Sequence, residues 1–496
     1  MKQLIFNTYK KQKEEFIPID KTPLGNKDNK PKIKIYVCGQ TVYDYCHIGH
    51  ARKAIVFDMV RRWFIAYGYE VIFVENITDV DDKIINRADQ NQESIHELTN
   101  RFINAMNRDF NMLNIIPADY APKATDYIPQ MIVMIQKLID KGYAYIANNG
   151  DVFFSIKKFK NYGHLSGKKL EDLQAGERVS LNEEKQDFLD FVLWKSTLNQ
   201  VNQEASWDPK QYGNLAADFS FGKGRPGWHI ECSAMSNAIL GKHFDIHGGG
   251  QDLAFPHHEN EIAQSESCND SVFANYWMHN GFITVKDDKM SKSLGNFTLI
   301  HDLLRNFNVE VIRYFMLKTH YRSPLHYHSD SLQESKEVVD KIYHILQKQN
   351  ITIQKTELNL YELDELLKDM EFHKSLLEKF TQAMFDDFNT PLSLAYLHEC
   401  LGILSEDNSD ITQRLFLFMA NSLGLILTPV TDYMSFGAEI NEEQINKLIH
   451  ERAMAKSAKN YIKSDEIRNT LLAHKIVLKD NPDGSTSWYV QNTQEK

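Results

Sequence analysis

An α/β fold, built on a Rossmann-type parallel nucleotide-binding sheet that an insertion divides and a helical region follows, is the architecture this sequence predicts. Three observations predict it. Residues 33–74 read as strand, loop, helix and strand, the opening of a parallel sheet. Sheet-like signals resume near residue 221 after a long polar stretch, and from residue 298 the apolar periodicity is helical almost throughout.

Size and composition agree with several domains. At 496 residues the chain is too long for one core, and about 150 residues per domain gives three or four. Its 42% hydrophobic and 25% charged residues are those of a globular protein. Leu4-Ile5-Phe6 is the only apolar run in residues 1–17 and is followed by Lys10, Lys11, Lys13, Glu14 and Glu15, which is no signal-peptide core. No run approaches the roughly 18 apolar residues of a membrane span. Five scattered cysteines argue against a disulfide framework. A cytoplasmic protein without a membrane partner is therefore expected. The net charge of -11 does not point to a nucleic-acid binder, but phosphate contacts need only a local basic face.

In order along the chain, Ile33-Lys34-Ile35-Tyr36-Val37-Cys38 alternates apolar and polar residues, stops at Gly39, and leads through a polar loop to a periodic run over residues 47–66. The helix begins Cys46-His47-Ile48-Gly49-His50. Two imidazoles thus share its first turn, where open backbone N–H groups and the positive dipole end favour an anion such as a triphosphate. Simple capping is the other use of such a pair. Glu70-Val71-Ile72-Phe73-Val74 predicts the second strand, and Asp79, Asp81 and Asp82 the acidic start of the next helix rather than a metal site. Residues 93–141 read as two helices broken around Pro117 and Pro122, and residues 143–219 as short strands and loops.

The densest chemistry lies in residues 225–261. Cys232 falls on a predicted helix, and Pro256 suits the first turn of another, which would put His257 and Glu261 on one face. A thiolate, an imidazole and a carboxylate form a zinc set lacking one ligand, for which Cys38 is the candidate. The same residues also suit a buried Cys beside a capped surface helix. Gly248 and Gly249, in the triplet between them, allow backbone to approach a nucleotide. His258-Glu259 opens an H-E-x-x-H signature, but position 262 is Ile, which disfavours a zinc protease.

Further on, Lys289-Met290-Ser291-Lys292-Ser293 puts two lysines three apart on a loop that can close on a triphosphate, although such a loop is often mere charged surface. Amphipathic runs follow at 309–318, 331–349, 361–385 and 391–404. A helix near 441–474 carries Lys447, Arg452, Lys456, Lys459, Lys463 and Arg468 and precedes a small hairpin with Trp488 and Tyr489. Basic residues beside aromatics suit phosphate contacts and base stacking; a solvated helix face and a plain hairpin suit them too.

His47-Ile48-Gly49-His50 and Lys289-Met290-Ser291-Lys292-Ser293, in that order, resemble the two signatures of class I aminoacyl-tRNA synthetases. The match is closer still with the cysteinyl-tRNA synthetase family. Its hallmark runs are similar to Val37-Cys38-Gly39-Gln40-Thr41-Val42-Tyr43-Asp44, Asn76-Ile77-Thr78-Asp79-Val80-Asp81-Asp82-Lys83, Trp228-His229-Ile230-Glu231-Cys232-Ser233-Ala234-Met235, Phe255-Pro256-His257-His258-Glu259-Asn260-Glu261 and Asp387-Phe388-Asn389-Thr390-Pro391. The resemblance covers nearly the whole length and departs from the pattern before Gly224, where Ser220-Phe221-Gly222-Lys223 replaces a short Ser-Pro-Trp-Gly run.

The resemblance implies one zinc ion on Cys38, Cys232, His257 and Glu261, with Trp228 and Asp252 in a cysteine pocket that Cys38 also borders. It implies that His47, His50, Lys289 and Lys292 handle the phosphates of Mg2+-bound ATP, with Lys292 in contact with ATP. The organisation it implies is a catalytic domain in two halves (1–122 and 221–285) around an insertion (123–220), then a stem-contact region (286–330), a helical bundle (331–430) and an anticodon-binding domain (431–496). The reaction would join cysteine to the 3' end of tRNA(Cys) through cysteinyl adenylate, by a chain expected to be a monomer. A ligase joining activated cysteine to a small-molecule amine could keep every catalytic motif but has no use for residues 331–496. A non-catalytic tRNA-binding relative would be expected to lose a signature histidine or lysine, and none is missing.

Overall fold

The computed structural model describes residues 2–25, 29–168, 184–197, 205–212, 219–285, 288–289, 298–354, 358–438, 442–480 and 486–490. Its two compact units are Met1–Ile300 with Met316–His328 and Leu358–Tyr396, and His301–Phe315 with Ser329–Glu357 and Leu397–Lys496.

A four-stranded parallel sheet forms the centre of the first unit, in the spatial order Ala274–Asn280, Phe244–Gly250, Lys32–Thr41, Glu70–Thr78. Its middle strand pairs Ile35 with Phe73 on one side and with Ile246 on the other, which is why Ile33, Ile35, Tyr36 and Val37 are all buried. Strands covered on both faces read as near-continuous apolar runs. The helix Ile48–Tyr67 follows the middle strand and buries Ile55, Phe57, Met59, Trp63 and Phe64. A separate antiparallel sheet is formed by Ala144–Ile146, Val152–Phe154, Phe191–Ser196 and Gly224–Pro226, with Trp194 paired to Pro226.

Asp387, fully buried, gathers distant parts of this unit. Its carboxylate accepts the Phe6 N–H at 2.8 Å, the Tyr321 hydroxyl at 2.7 Å and Arg322 Nε at 2.7 Å. A buried carboxylate is stable only when such donors replace water.

Glu310 plays the equivalent part in the second, helical unit. With no exposed surface, it accepts the N–H groups of Ile426, Leu427 and Thr428 at 2.7–2.9 Å and the Thr428 hydroxyl at 3.0 Å. Glu310→Ala leaves those donors unsatisfied, and the expected loss is about 3 kcal/mol. The urea midpoint of the helical unit's far-UV transition measures it, and a shift worth under about 1 kcal/mol would mean that water replaces the carboxylate.

Two helical expectations differ from what is seen. The run 361–385 divides into Leu360–Leu366 and Glu371–Phe385, and the run 441–474 into Glu442–Ser457 and Tyr461–Ala473, with Lys459 at φ 58° between them. Periodicity continues across both breaks, so it cannot mark them. The expectation for Pro256 holds: Phe255 is extended at φ -142° and ψ 132°, the backbone is helical from Pro256 onward, and His257 meets Glu261 one turn later. The C-terminal hairpin pairs Ile476–Asp480 with Thr486–Val490, and its Asp480 takes both Arg452 guanidinium nitrogens at 2.8 and 3.0 Å and Lys456 at 2.7 Å. Arg452 and Trp488 are buried, so neither is a contact for phosphate or base; among the described residues of this region Met454, Tyr461, Ile462 and Leu472 are exposed large apolar side chains.

Candidate active site and metal centre

The middle strand changes register against Glu70–Thr78 between Val37 and Gln40, and this irregularity sets Cys38 at the sheet's carboxyl end. Such a bulge re-aims a side chain. Gly39 is required there, because a Cβ would fall 1.6 Å from the Asn76 carbonyl oxygen; its N–H donates to Asn76 Oδ1 at 2.8 Å. Cys232 projects from the helix Trp228–Leu240, and His257 and Glu261 from the irregular turn and helix start around residue 259.

These four predicted ligands converge. Cys38 Sγ lies 3.7 Å from Cys232 Sγ and 3.4 Å from Glu261 Oε1, and His257 Nε2 lies 3.0 Å from the same oxygen. All four residues are buried, and their ligand atoms lie within 4.8 Å of one another. Both cysteines are free thiols. Burial opposes ionisation of Glu261, but His247 and His257 hold it well below the usual carboxylate range. Burial, then Cys232 and Glu261, push the Cys38 thiol well up. Two thiols and a carboxylate in one dry site repel one another as anions, and a bound cation removes that conflict. The donor set therefore fits a metal ion.

A second layer, not read from the sequence as part of the site, surrounds the cluster. His247 Nε2 is 2.8 Å from Glu261 Oε2, with its ring stacked on Trp277 at 4.4 Å between centroids. His258 Nδ1 meets His279 Nε2 at 2.8 Å, and His279 Nδ1 meets Thr8 Oγ1 at 2.9 Å. Burial holds both His258 and His279 neutral. Cys38, His247, His258 and Glu261 form an overlapping set that could also take an ion. The imidazoles in H-G-G-G and P-H-H were a signal for this layer, but only the fold shows which of them face Glu261.

A cavity of about 600 Å³ opens beside the cluster. Trp228, stacked on His257 at 4.2 Å between centroids, lines it with Cys38 and Asp252. His47 and His50 line it too. His47 caps the helix: its Nδ1 accepts the Gly49 N–H at 3.1 Å, while His50 Nδ1 accepts the His47 N–H at 3.1 Å. With both Nδ1 atoms accepting, each proton is on Nε2. Capping and phosphate handling are therefore compatible, since they use opposite ring nitrogens. Gly248 and Gly249 are buried in their strand, and Gly250 is the member of the triplet that lines the cavity. Lys289 is described only by its backbone, which pairs with Thr284; Lys292 lies outside the described residues.

Residues 25–337 match the family of tRNA synthetases class I (C) catalytic domain, and residues 379–427 match the DALR domain. The chain is 46% identical over 487 residues to the cysteine–tRNA ligase of Cupriavidus pinatubonensis, covering 98% of each. It is 48% identical over 486 residues to that of Methylobacillus flagellatus, covering 98% of this chain and 99% of the relative.

The chain belongs to the cysteine–tRNA ligase family.

Solved structures place this cysteine–tRNA ligase family member in a wider fold. Mycobacterium tuberculosis methionyl-tRNA synthetase bound by methionyl-adenylate is similar with a TM-score of 0.54 at 15% identity, over 79% of this chain and 89% of that one. The Agrobacterium radiobacter K84 LeuRS, from a ternary complex, has a TM-score of 0.54 at 12% identity, over 82% and 84%. At such identities the likeness is one of fold alone. Among the described residues no helix of this family member is long and apolar enough to cross a membrane.

Proposed function

We propose that this chain activates cysteine with Mg2+-bound ATP and transfers it to the 3' end of tRNA(Cys). The observation that carries the reading is the convergence of Cys38, Cys232, His257 and Glu261 beside a cavity that His47 and His50 also line. In the first step a carboxylate oxygen of cysteine attacks the α-phosphorus and pyrophosphate leaves; in the second a ribose hydroxyl attacks the acyl carbon and AMP leaves. Neither step needs a protein nucleophile, so positioning and charge stabilisation carry catalysis.

His47 and His50 donate from Nε2 to the phosphates, and Lys289 and Lys292 neutralise the departing pyrophosphate. Gly248 and Gly249, assigned to the nucleotide through their backbone, lie buried in the strand that ends at the cavity-lining Gly250. Trp228 and Asp252 bound the amino-acid pocket, where the indole closes one side against water. Cys38, Cys232, His257 and Glu261 hold zinc, which when bound supplies a soft Lewis acid that prefers the substrate thiol to a serine hydroxyl. His247 and His257 keep Glu261 anionic in spite of its dry surroundings, and His247 orients it from behind.

The parts assigned are a catalytic domain in two halves around an insertion, a stem-contact region, a helical bundle and an anticodon-reading C-terminal domain. A monomer working in the cytoplasm, where tRNA is charged for translation, goes with this reading. Cysteine-dependent ATP–pyrophosphate exchange tests it, repeated with serine in place of cysteine and followed by charging of tRNA(Cys). Exchange that does not depend on cysteine would overturn it.

The C-terminal assignment has its own test. Val430–Met434 belongs to the helical bundle side, because Tyr433 stacks on Tyr343 at 3.8 Å and its hydroxyl donates to Asp340 at 2.7 Å. A truncation is therefore made after Gly437. Exchange should persist within about threefold while kcat/KM for tRNA falls at least about tenfold, since remote contacts contribute binding and not adenylate chemistry. Full charging efficiency without residues 438–496 would remove the assignment.

A further inference from the structure

Arg52, in the helix that starts with the paired histidines, is 1% exposed. Its NH1 donates to the Met316 carbonyl, and its NH2 faces the carbonyls of Thr319, His320 and Tyr321 at 3.4, 3.1 and 3.4 Å. Among the described residues no carboxylate pairs with it. A buried guanidinium ordinarily has an acidic partner. Here burial lowers its pKa only to about 10, so it stays cationic at neutral pH and is solvated by backbone dipoles. Its fork of donors suits several acceptors at once.

The segment that Arg52 grasps is bound in turn to a wall of the cavity. The Tyr321 carbonyl also accepts the Gly281 N–H at 2.8 Å, Leu325 N–H donates to the Phe282 carbonyl at 2.9 Å, and Ile283 pairs with Leu325. The approach is close enough to require glycine: a Cβ at 281 would meet Ser323 O at 2.5 Å and Arg322 O at 2.7 Å. Residues 280–283 line the same cavity as His47, His50 and Arg52. On the other side of the helix start, Ile48 N–H donates to the Thr298 carbonyl at 2.9 Å and Ile300 N–H to the Cys46 carbonyl at 3.0 Å.

We infer that Arg52 is a positioning residue for ATP: by clasping the carbonyls of residues 316–321 it fixes the wall at 280–283 relative to His47 and His50, and so sets the width of the phosphate end of the cavity. The inference rests on the reading of that end as the ATP site. Arg52 does not touch the nucleotide in this role: NH1 and NH2 are engaged with the carbonyls behind the wall, and Nε is buried without a hydrogen-bond partner among the described residues. Lysine cannot replace it, because one ammonium cannot span acceptors spread over six residues.

The test uses Arg52→Met, Arg52→Lys and Arg52→Ala in the full-length, zinc-loaded protein. In cysteine-dependent pyrophosphate exchange, the KM for ATP should rise about tenfold or more in all three, since small misplacements of a bound reactant are costly. The KM for cysteine and the zinc content should stay within about twofold, because the cluster is built from other elements. Methylguanidinium added to Arg52→Ala should bring the KM for ATP back toward that of the unaltered protein, which a general loss of stability would not allow. An unchanged KM for ATP in folded Arg52→Met overturns the inference. If the Arg52 variants do not fold, Gly281→Ala displaces the same wall from its far side: a similar rise supports the inference and an unchanged value overturns it. His50→Ala, measured in parallel, separates the two layers of the argument. Unaltered exchange in that variant would bring down the phosphate reading itself, whereas lost exchange there with normal Arg52 variants would bring down the positioning role alone.

Discussion

Cys232→Ser should lose most of its bound zinc and, with it, most of the preference for cysteine over serine. Cysteine and serine are nearly isosteric, and shape alone separates such pairs by only about a hundredfold. In the native cluster the two sulfurs lie 3.7 Å apart, close to what two thiolates about 2.3 Å from one tetrahedral zinc require. Serine at 232 replaces a soft ligand with a hard, protonated one, and without a bound cation nothing offsets the burial and the neighbouring Glu261 that hold the Cys38 thiol protonated. Metal analysis should fall from about one zinc per chain to a small fraction, and cysteine-over-serine discrimination toward the hundredfold limit of shape. ATP affinity should be unchanged, since His47 and His50 belong to a different element. His257→Ala should behave in the same way. Glu261 is the hardest of the four ligands and the one expected to loosen when the substrate thiol binds. A folded, zinc-free variant that still rejects serine as strongly as the native chain would refute the idea, whatever its absolute rate.

His47→Asn should form adenylate about a hundredfold more slowly, a loss of about 2.7 kcal/mol of transition-state stabilisation, while melting like the unaltered protein. Asparagine is chosen because His47 has two jobs in the structure. Its Nδ1 caps the helix by accepting the Gly49 N–H, and asparagine caps as well. Its Nε2 is the donor assigned to phosphate, and asparagine is too short to reach that position. His47→Ala should add about 1 kcal/mol of lost stability from the missing cap. Single-turnover adenylate formation and thermal melting separate the two jobs. A normal rate in His47→Asn would show that the histidine is a cap and nothing more.

Much of this site could be read before any coordinates, because its determinants are local. The alternation of residues 33–38, the glycine after them and the periodic run beyond identify strand, loop and helix, and the donor types of Cys38, Cys232, His257 and Glu261 limit what could bind them. What could not be read depends on the chain returning to itself. Nothing near Arg52 in sequence says that it grasps carbonyls 264–269 residues away. His247 and His258 looked like any other imidazoles until the sheet turned them toward Glu261. Arg452 looked like a phosphate contact until the hairpin brought Asp480 against it. The break at Lys459 escaped because apolar periodicity is blind to a single residue at positive φ.

The buried carboxylate of Asp387 also has a bearing on how the protein is made. Phe6, whose amide it binds, lies 381 residues earlier. At roughly 5–20 residues per second the ribosome needs about 20–75 seconds to get from one to the other. The middle strand of the parallel sheet waits too, since it pairs with Phe244–Gly250, which is synthesised two hundred residues after it. The first half of the sheet therefore carries an apolar edge until Phe244–Gly250 is made, and an unmatched amide until Asp387 is. The chain is most open to chaperones, and to misfolding, in that interval.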